Sequence, residues 1–318
     1  MESTPPQPTR SGIASPEANA PCPLCASRAF AAHRFGLFRC GACGLVVDRR
    51  IFERDLDREL NEEAFGEGYD PERSLWVRGF QAWKNRRYLR NLRRAGVHDG
   101  RLLEVGVGSG SFLRAARAAG FEAMGCELSE SLARRVQAAT GVPVHGGELA
   151  SLPERAFDVV CTHHMLEHVR DPVAFLRKAC ERLKPGGLLH LAVPNGACWE
   201  ARLSGWNCYV HYHLAYFDAS SLRHAVTAAG LQVERTFSHE SFSTWLLTLL
   251  RTVAGVASFD APPKVAASLG RVPRWWPLIE HPYRLAMVAS GVVTWPLRAL
   301  QGRLGKGDEL LALARRQS

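Results

Sequence analysis

Two sets of residues in this chain have the types and spacing that chemistry requires. Cys22-Pro-Leu-Cys25 and Cys40-Gly-Ala-Cys43 are C-x2-C knuckles fourteen residues apart, with Gly44 after the second. Tetrahedral zinc takes four thiolates: each knuckle wraps one side of the ion and the residues between them form a hairpin. A closed set of this kind is structural. The second set is Leu102-Leu-Glu104-Val-Gly106-Val-Gly108-Ser-Gly110, an apolar strand that ends in an acid and runs into three alternating glycines. Glycine admits positive φ and has no Cβ to hold a ligand off the backbone, so the loop reads as a nucleotide cradle facing the N-terminus of the next helix. Seventeen residues past Gly110, a second strand, Phe121 to Cys126, ends in Glu127, where Rossmann-like folds place an acid to bind both hydroxyls of an adenosine ribose.

The elements that must position these residues alternate. Strands are expected at 101–105, 121–126, 142–145, 156–161 and 187–193, and helices at 111–119, 130–139 and 172–183. That order means a parallel sheet with helices on both faces. Gly120 ends one helix, Asp171-Pro172 opens another with a cap and a first-turn proline, and Lys184-Pro185-Gly186-Gly187 stops it. Helix 220–229 leads to strand 231–237, and Glu309 to Arg315 supplies a last strand. Ahead of the sheet, 73–94 reads as a helix. Its segment 84–94 holds six basic residues in eleven, with Trp83, Tyr88, Leu89 and Leu92 as the buried stripe and a solvated basic face opposite.

The order of motifs resembles the class I S-adenosylmethionine-dependent methyltransferases. Glu104 to Gly110 is similar to that family's motif I, and Ser111 stands where a nicotinamide fingerprint wants glycine or alanine. Phe157-Asp158-Val159-Val160 resembles the family's fourth strand, and His164-Met-Leu-Glu167-His168-Val-Arg-Asp171-Pro172 the run that follows it. Lys184 to Pro194 resembles the turn into strand five, and His213-x-x-x-Phe217 with Ser221-Leu222 the approach to the last helix. The likeness covers about residues 85 to 240 and the final strand. It implies an α/β, Rossmann-like, seven-stranded, mostly parallel sheet, with the last strand antiparallel between its two predecessors.

It also implies S-adenosyl-L-methionine as cofactor, held by Glu104, Gly106, Gly108, Gly110 and Glu127, with Glu148 and Leu149 beside the adenine and His163 at the mouth where methionine meets the acceptor. Methyl transfer to an oxygen needs alignment and a base. His164, His213 and His211 are the candidate bases, while His168, at the entry to a capped helix, reads as structural.

Domain boundaries follow. Residues 1–21, rich in Pro, Ser and Thr, form an arm expected to be disordered. Residues 22–50 form a zinc ribbon; the first fifty or so residues of the chain bury little core by themselves, so that structural Zn2+ supplies folding free energy. Residues 51–100 are a connector and helix, 101–240 and 307–318 the catalytic core, and 241–306 a helical insertion carrying Trp245, Trp275, Trp276 and Trp295.

At 318 residues, with 46% hydrophobic and 22% charged residues, the chain is globular. Its net charge of +9 is uneven: residues 1–50 carry +3, 51–250 are neutral and 251–318 carry +6. The basic additions suit an acidic partner. Nine cysteines, an odd number, with no apolar leader in residues 1–21, point to thiols or a metal site in a cytoplasmic protein. The insertion's uncharged runs, 241–250 and 285–297, fall below the roughly 18–20 residues of a spanning helix. Aromatic residues beside arginine suit either peripheral contact with an anionic membrane or a helical lid packed on the core or on a second subunit. The function expected is O-methylation of a small-molecule acceptor such as a sugar, isoprenoid or lipid-linked intermediate. RNA methylation, with phosphate contacts from 84–94, is the alternative, and a cofactor-binding scaffold without turnover is a third.

Overall fold

The computed structural model describes residues 20–52, 75–210, 212–240, 245–255, 285–286 and 288–317. The connector 53–72, Trp275, Trp276, His211 and nearly all of the N-terminal arm lie outside these residues.

The centre is a seven-stranded sheet of β4 (Gly100–Val105), β5 (Phe121–Glu127), β6 (Val144–Gly146), β7 (Phe157–His163), β8 (Leu183–Pro194), β10 (Leu231–His239) and β11 (Glu309–Arg316), in the order β10-β11-β8-β7-β4-β5-β6. Pairing is parallel from β8 through β6. β11 runs antiparallel between β8 and β10. Strands buried on both faces need apolar side chains throughout, and Leu102, Leu103, Val159, Val160, Leu189, Leu191 and Ala312 are fully buried. The helices α1 (Leu75–Arg94), α2 (Ser111–Ala118), α3 (Glu130–Thr140), α4 (Pro172–Arg182) and α5 (Ala219–Ala228) pack around this sheet. Ser129, Asp171 and Asp218 cap α3, α4 and α5 through their side chains, and Asp218 with Ser221 forms a capping box.

One element starts earlier than the sequence predicts. β8 follows α4 directly, with Leu183 opposite Phe157. The Lys184-Pro-Gly-Gly turn is absorbed as a bulge before Leu188 pairs with Val159. Lys184 Nζ bonds Asp158 Oδ1 at 2.7 Å, which holds the bulge to the neighbouring strand.

The cysteine segment forms a second, small sheet of β1 (Phe30–Ala32), β2 (Phe38–Cys40) and β3 (Val46–Val47). Its fourth strand comes from the core: β9 (Ala215–Tyr216) pairs with β3, Val46 opposite Tyr216 and Val47 opposite Ala215. Leu24, Phe38, Leu45, Val47 and Ile51 join one apolar cluster with Leu166, Leu214, Phe217 and Leu222. Burial against the core therefore adds to whatever the metal contributes.

Within the insertion, α6 (Trp245–Val253) packs on the backbone at Gly205, and α7 (Trp295–Arg303) buries Arg298 and Gln301 while leaving Trp295, Leu297 and Leu300 about half exposed. Among the described residues, no helix is long and apolar enough to cross a membrane.

Candidate active site

The C-terminal ends of β4, β5 and β7 open into a cleft of about 280 Å³ lined by Glu104, Gly106, Val107, Gly108, Glu127, His163, His164 and Met165, with Ser111 and Phe112 at the start of α2 and Gln81, Lys84, Asn85 and Tyr88 on α1. A ligand at this edge of a parallel sheet meets the backbone N–H groups of a helix N-terminus. Gly106 has φ +78°, and a Cβ there would lie 2.3 Å from the Met165 side chain. Gly110 stands apart from the cleft lining: it is the left-handed N-cap of α2, where a Cβ would meet Val136 at 2.6 Å. The first glycine keeps the cradle open and the last lets the chain turn into α2.

Glu127 is anchored, its Oε2 accepting from the Val107 N–H at 3.3 Å and its Oε1 from the Ser129 N–H at 3.1 Å. Burial nonetheless raises its pKa. Glu104 is 4% exposed, and its Oε2 has no hydrogen-bond partner. Burial pushes its carboxyl well above the usual range, Lys84 being the cation that opposes this. An orphaned buried carboxyl of this kind fits a cationic ligand group, which would restore its ionisation. The open glycine backbone, the anchored Glu127 and this orphan oxygen together fit S-adenosylmethionine.

Glu148 and Leu149 lie beyond the lining. Glu148 is exposed, 3.9 Å from Lys178, and Leu149 is buried in the core.

His163 is sandwiched, its ring 4.1 Å from that of Tyr88 and 4.7 Å from that of Phe112. Its Nε2 meets His190 Nδ1 at 2.9 Å, and its Nδ1 lies 3.8 Å from Glu104. Burial, with the charges of His190 and Lys84, lowers its pKa well below 6.5, so it stands neutral. His190 is also held down, to about 4, chiefly by burial.

His164 is different. It takes φ +56°, a left-handed conformation costly for a non-glycine residue and concentrated at functional sites. Its Nε2 lies 2.8 Å from Glu309 Oε1, and its Nδ1 3.5 Å from Glu167 Oε1. Burial and Lys84 act to lower its pKa, but the bonds to Glu167 and Glu309 prevail and raise it from 6.5 to about 9. Burial would raise Glu167, yet His164, His168 and His213 hold it at about 2. Tyr88 also donates its hydroxyl to Glu309 Oε1. The cleft wall therefore carries an imidazolium bracketed by two buried carboxylates.

His213 sits behind this group. Its Nδ1–H donates to the Cys208 carbonyl at 2.7 Å and its Nε2 lies 4.0 Å from Glu167 Oε1. Burial, then the neighbouring His168, lowers its pKa to about 3. His168 Nδ1 bonds the Tyr212 carbonyl at 2.8 Å.

The four cysteines converge. Cys22 Sγ is 3.6 Å from Cys43 Sγ and Cys25 Sγ 3.5 Å from Cys40 Sγ, and all four sulfurs lie within 4.8 Å of one another. Zinc–thiolate bonds of about 2.3 Å set tetrahedral sulfur–sulfur edges of about 3.8 Å, so the donor set fits the ion. Cys126 and Cys161 are core thiols.

Sequence reasoning missed the α1 residues, read as buried stripe or solvated face, and missed Glu309 and His190. The polar positions Gln81 and Asn85, four apart on α1, were the available hint. No local pattern marked Glu309.

The fold and glycine cradle are those of a Rossmann-like domain, and residues 80–236, just under half of the chain, match the family described as methyltransferase domain. Over 111 residues it is 36% identical to the ubiquinone biosynthesis O-methyltransferase of Pseudomonas aeruginosa, covering 32% of this chain and 47% of that one. Over 153 residues it is 31% identical to the ubiquinone biosynthesis O-methyltransferase of Xanthomonas euvesicatoria pv. vesicatoria, covering 42% and 63%. The chain thus spans about half the length of the first of these relatives. A chain from the complex between the Haloferax volcanii Trm112 methyltransferase activator and a methyltransferase shares the fold at TM-score 0.51 and 17% identity, covering 83% of this chain and 96% of its own.

Proposed function

We propose that this protein transfers the methyl group of S-adenosylmethionine to an oxygen of a small-molecule acceptor, and that its four-cysteine site holds structural zinc. The observation carrying the first reading is the cleft itself: the glycine cradle, the anchored Glu127 and the unpartnered Glu104 oxygen meet at the edge of a methyltransferase domain. The O-methyltransferase relatives favour oxygen as acceptor atom and a small molecule as acceptor.

When bound, the cofactor supplies an activated methyl on a sulfonium. Glu127 binds the ribose hydroxyls, Gly106 and Gly108 let the ligand approach the backbone, and Glu104 receives the cationic amino-acid end. Tyr88 and Phe112 wall one side and exclude water. His164, once it has lost its proton from Nδ1, takes one there from the acceptor hydroxyl, with Glu309 holding the Nε2–H and Glu167 sharing the charge the ring gains. His213 positions Glu167 and does not enter the cleft.

Calorimetric titration with S-adenosylmethionine and S-adenosylhomocysteine, against NADH as control, tests the reading. The expected result is micromolar binding of both sulfur ligands, weakened at least ~100-fold in Glu127→Ala because two charge-assisted hydrogen bonds are lost. No binding, or preference for NADH, overturns it.

A further inference from the structure

A second cavity, of about 320 Å³, lies at the seam between the cysteine ribbon and the core and shares no lining residue with the cleft. Its ribbon side carries His33, Arg34 and Arg39, and its core side Arg202 and Lys306. Among the described residues, Arg34, Arg39, Arg202 and Lys306 have no side-chain partner. The lining carboxylate is Asp218, whose Oδ1 already accepts from the backbone N–H and hydroxyl of Ser221 at the start of α5. The summed field is strong enough to act on His33, whose pKa is lowered by burial and then by Arg39 and Arg34.

The floor of the cavity is aromatic and polar at once. Trp206 is fully buried and Tyr216 is 4% exposed, yet the Trp206 indole N–H and the Tyr216 hydroxyl have no hydrogen-bond partner. A buried donor left unpaired destabilises the fold. Both residues line the cavity together with the four unneutralised cations. A lining of donors with so little acceptor capacity matches a ligand that is all acceptor and negatively charged, and the aromatic wall matches an organic group attached to it.

We propose that the ribbon–core seam is a binding site for the phosphate or diphosphate group of an organic ester. The seam is also mechanically joined to the cleft wall. The Tyr216 ring is 6.2 Å from that of His213, His213 faces Glu167, and Glu167 faces His164. Such a ligand bridges the two halves of the small sheet, since Arg39 lies on β2 and Tyr216 on β9.

The test is calorimetry on the full chain with inorganic diphosphate, uridine diphosphate and geranyl diphosphate, each with and without S-adenosylhomocysteine. Saturable binding of diphosphate is expected, with Kd raised about tenfold or more in the Arg39→Gln, Arg202→Gln double variant and a few-fold in Tyr216→Phe. Arg90→Gln, which changes an exposed residue of α1, leaves Kd unchanged and controls for loss of general basicity. Whichever organic diphosphate binds more tightly than the inorganic ion distinguishes a nucleotide ester from a prenyl ester. The proposal is overturned if no probe saturates, if Arg90→Gln weakens binding as much as the double variant, if S-adenosylhomocysteine displaces the diphosphate, or if only an RNA oligonucleotide binds. Binding of S-adenosylhomocysteine in the same samples reports the cleft separately.

Discussion

The cleft and the seam cavity solve opposite electrostatic problems. The cleft is lined by the carboxyls of Glu104 and Glu127, with Glu167 and Glu309 behind His164, answered by one imidazolium and by Lys84. The seam is walled by cations answered by a single aspartate already committed to a helix cap. A site with surplus carboxylate suits a cationic ligand, and one with surplus guanidinium and indole N–H suits an anionic one. Their construction differs as well. The cleft is held by a parallel sheet whose central strands are largely buried, whereas the seam is held by two- and three-residue strands, a four-cysteine cluster and one strand lent by the core. The cleft should therefore survive changes that dismantle the seam.

Metal removal makes the largest break in that comparison. Structural zinc contributes on the order of 10 kcal/mol to small thiolate modules at neutral pH. Chelation, or Cys40→Ser, is expected to abolish diphosphate binding at the seam and to release about one zinc per chain by metal analysis. S-adenosylhomocysteine affinity is expected to stay within about threefold, because the ribbon contributes nothing to the cleft lining. Equal loss at both sites would mean that the ribbon organises the whole molecule.

His164 sharpens the chemical side. Removal of a positioned base costs about 10²–10⁴ in rate, so His164→Ala should lower kcat by at least ~100-fold with little change in cofactor Kd. Only the deprotonated ring accepts a proton. In the wild type, kcat/KM should therefore climb about tenfold per pH unit and level off near 9, the value to which Glu167 and Glu309 lift the imidazole against burial. Glu309→Gln removes one of those anions and should move the inflection at least about one pH unit toward acid. A profile flat from pH 7 to 10 in the wild type would rule out His164 as the base.

His213 gives the smallest effect. It is buried, neutral and 4.0 Å from Glu167, so His213→Ala should reduce kcat less than about tenfold and lower Tm by several degrees through lost packing. A loss as large as that of His164→Ala would place His213 in the reaction itself.

The antiparallel place of the last strand followed from the family resemblance; periodicity, caps, glycine placement and cysteine spacing were enough for the alternating strands and helices, the cradle at Gly106 to Gly110 and the four-cysteine cluster. Each of these is local, or carries a spacing that one ion or one turn type requires. Tyr88, Leu89 and Leu92 were legible as a buried stripe for the same reason, and they are buried. What α1 does with the neighbouring turn was not legible. Gln81, Lys84 and Asn85 look like ordinary polar helix residues until α1 is laid across the mouth of β4 and β7.

Only the tertiary structure decided who partners the two central groups. β11 runs against its neighbours, so its first residue, Glu309, lies level with Pro194 at the C-terminal end of β8, beside a histidine 145 residues earlier in the chain. A carboxylate that prefixes an apolar strand carries no sequence mark of that destination. The same holds for Ala215 and Tyr216, which complete a sheet begun nearly two hundred residues before them. Backbone hydrogen bonding along a sheet edge is indifferent to side-chain identity, so the sequence determined the strands and the donors, while packing alone determined which edges met and which charges they enclosed.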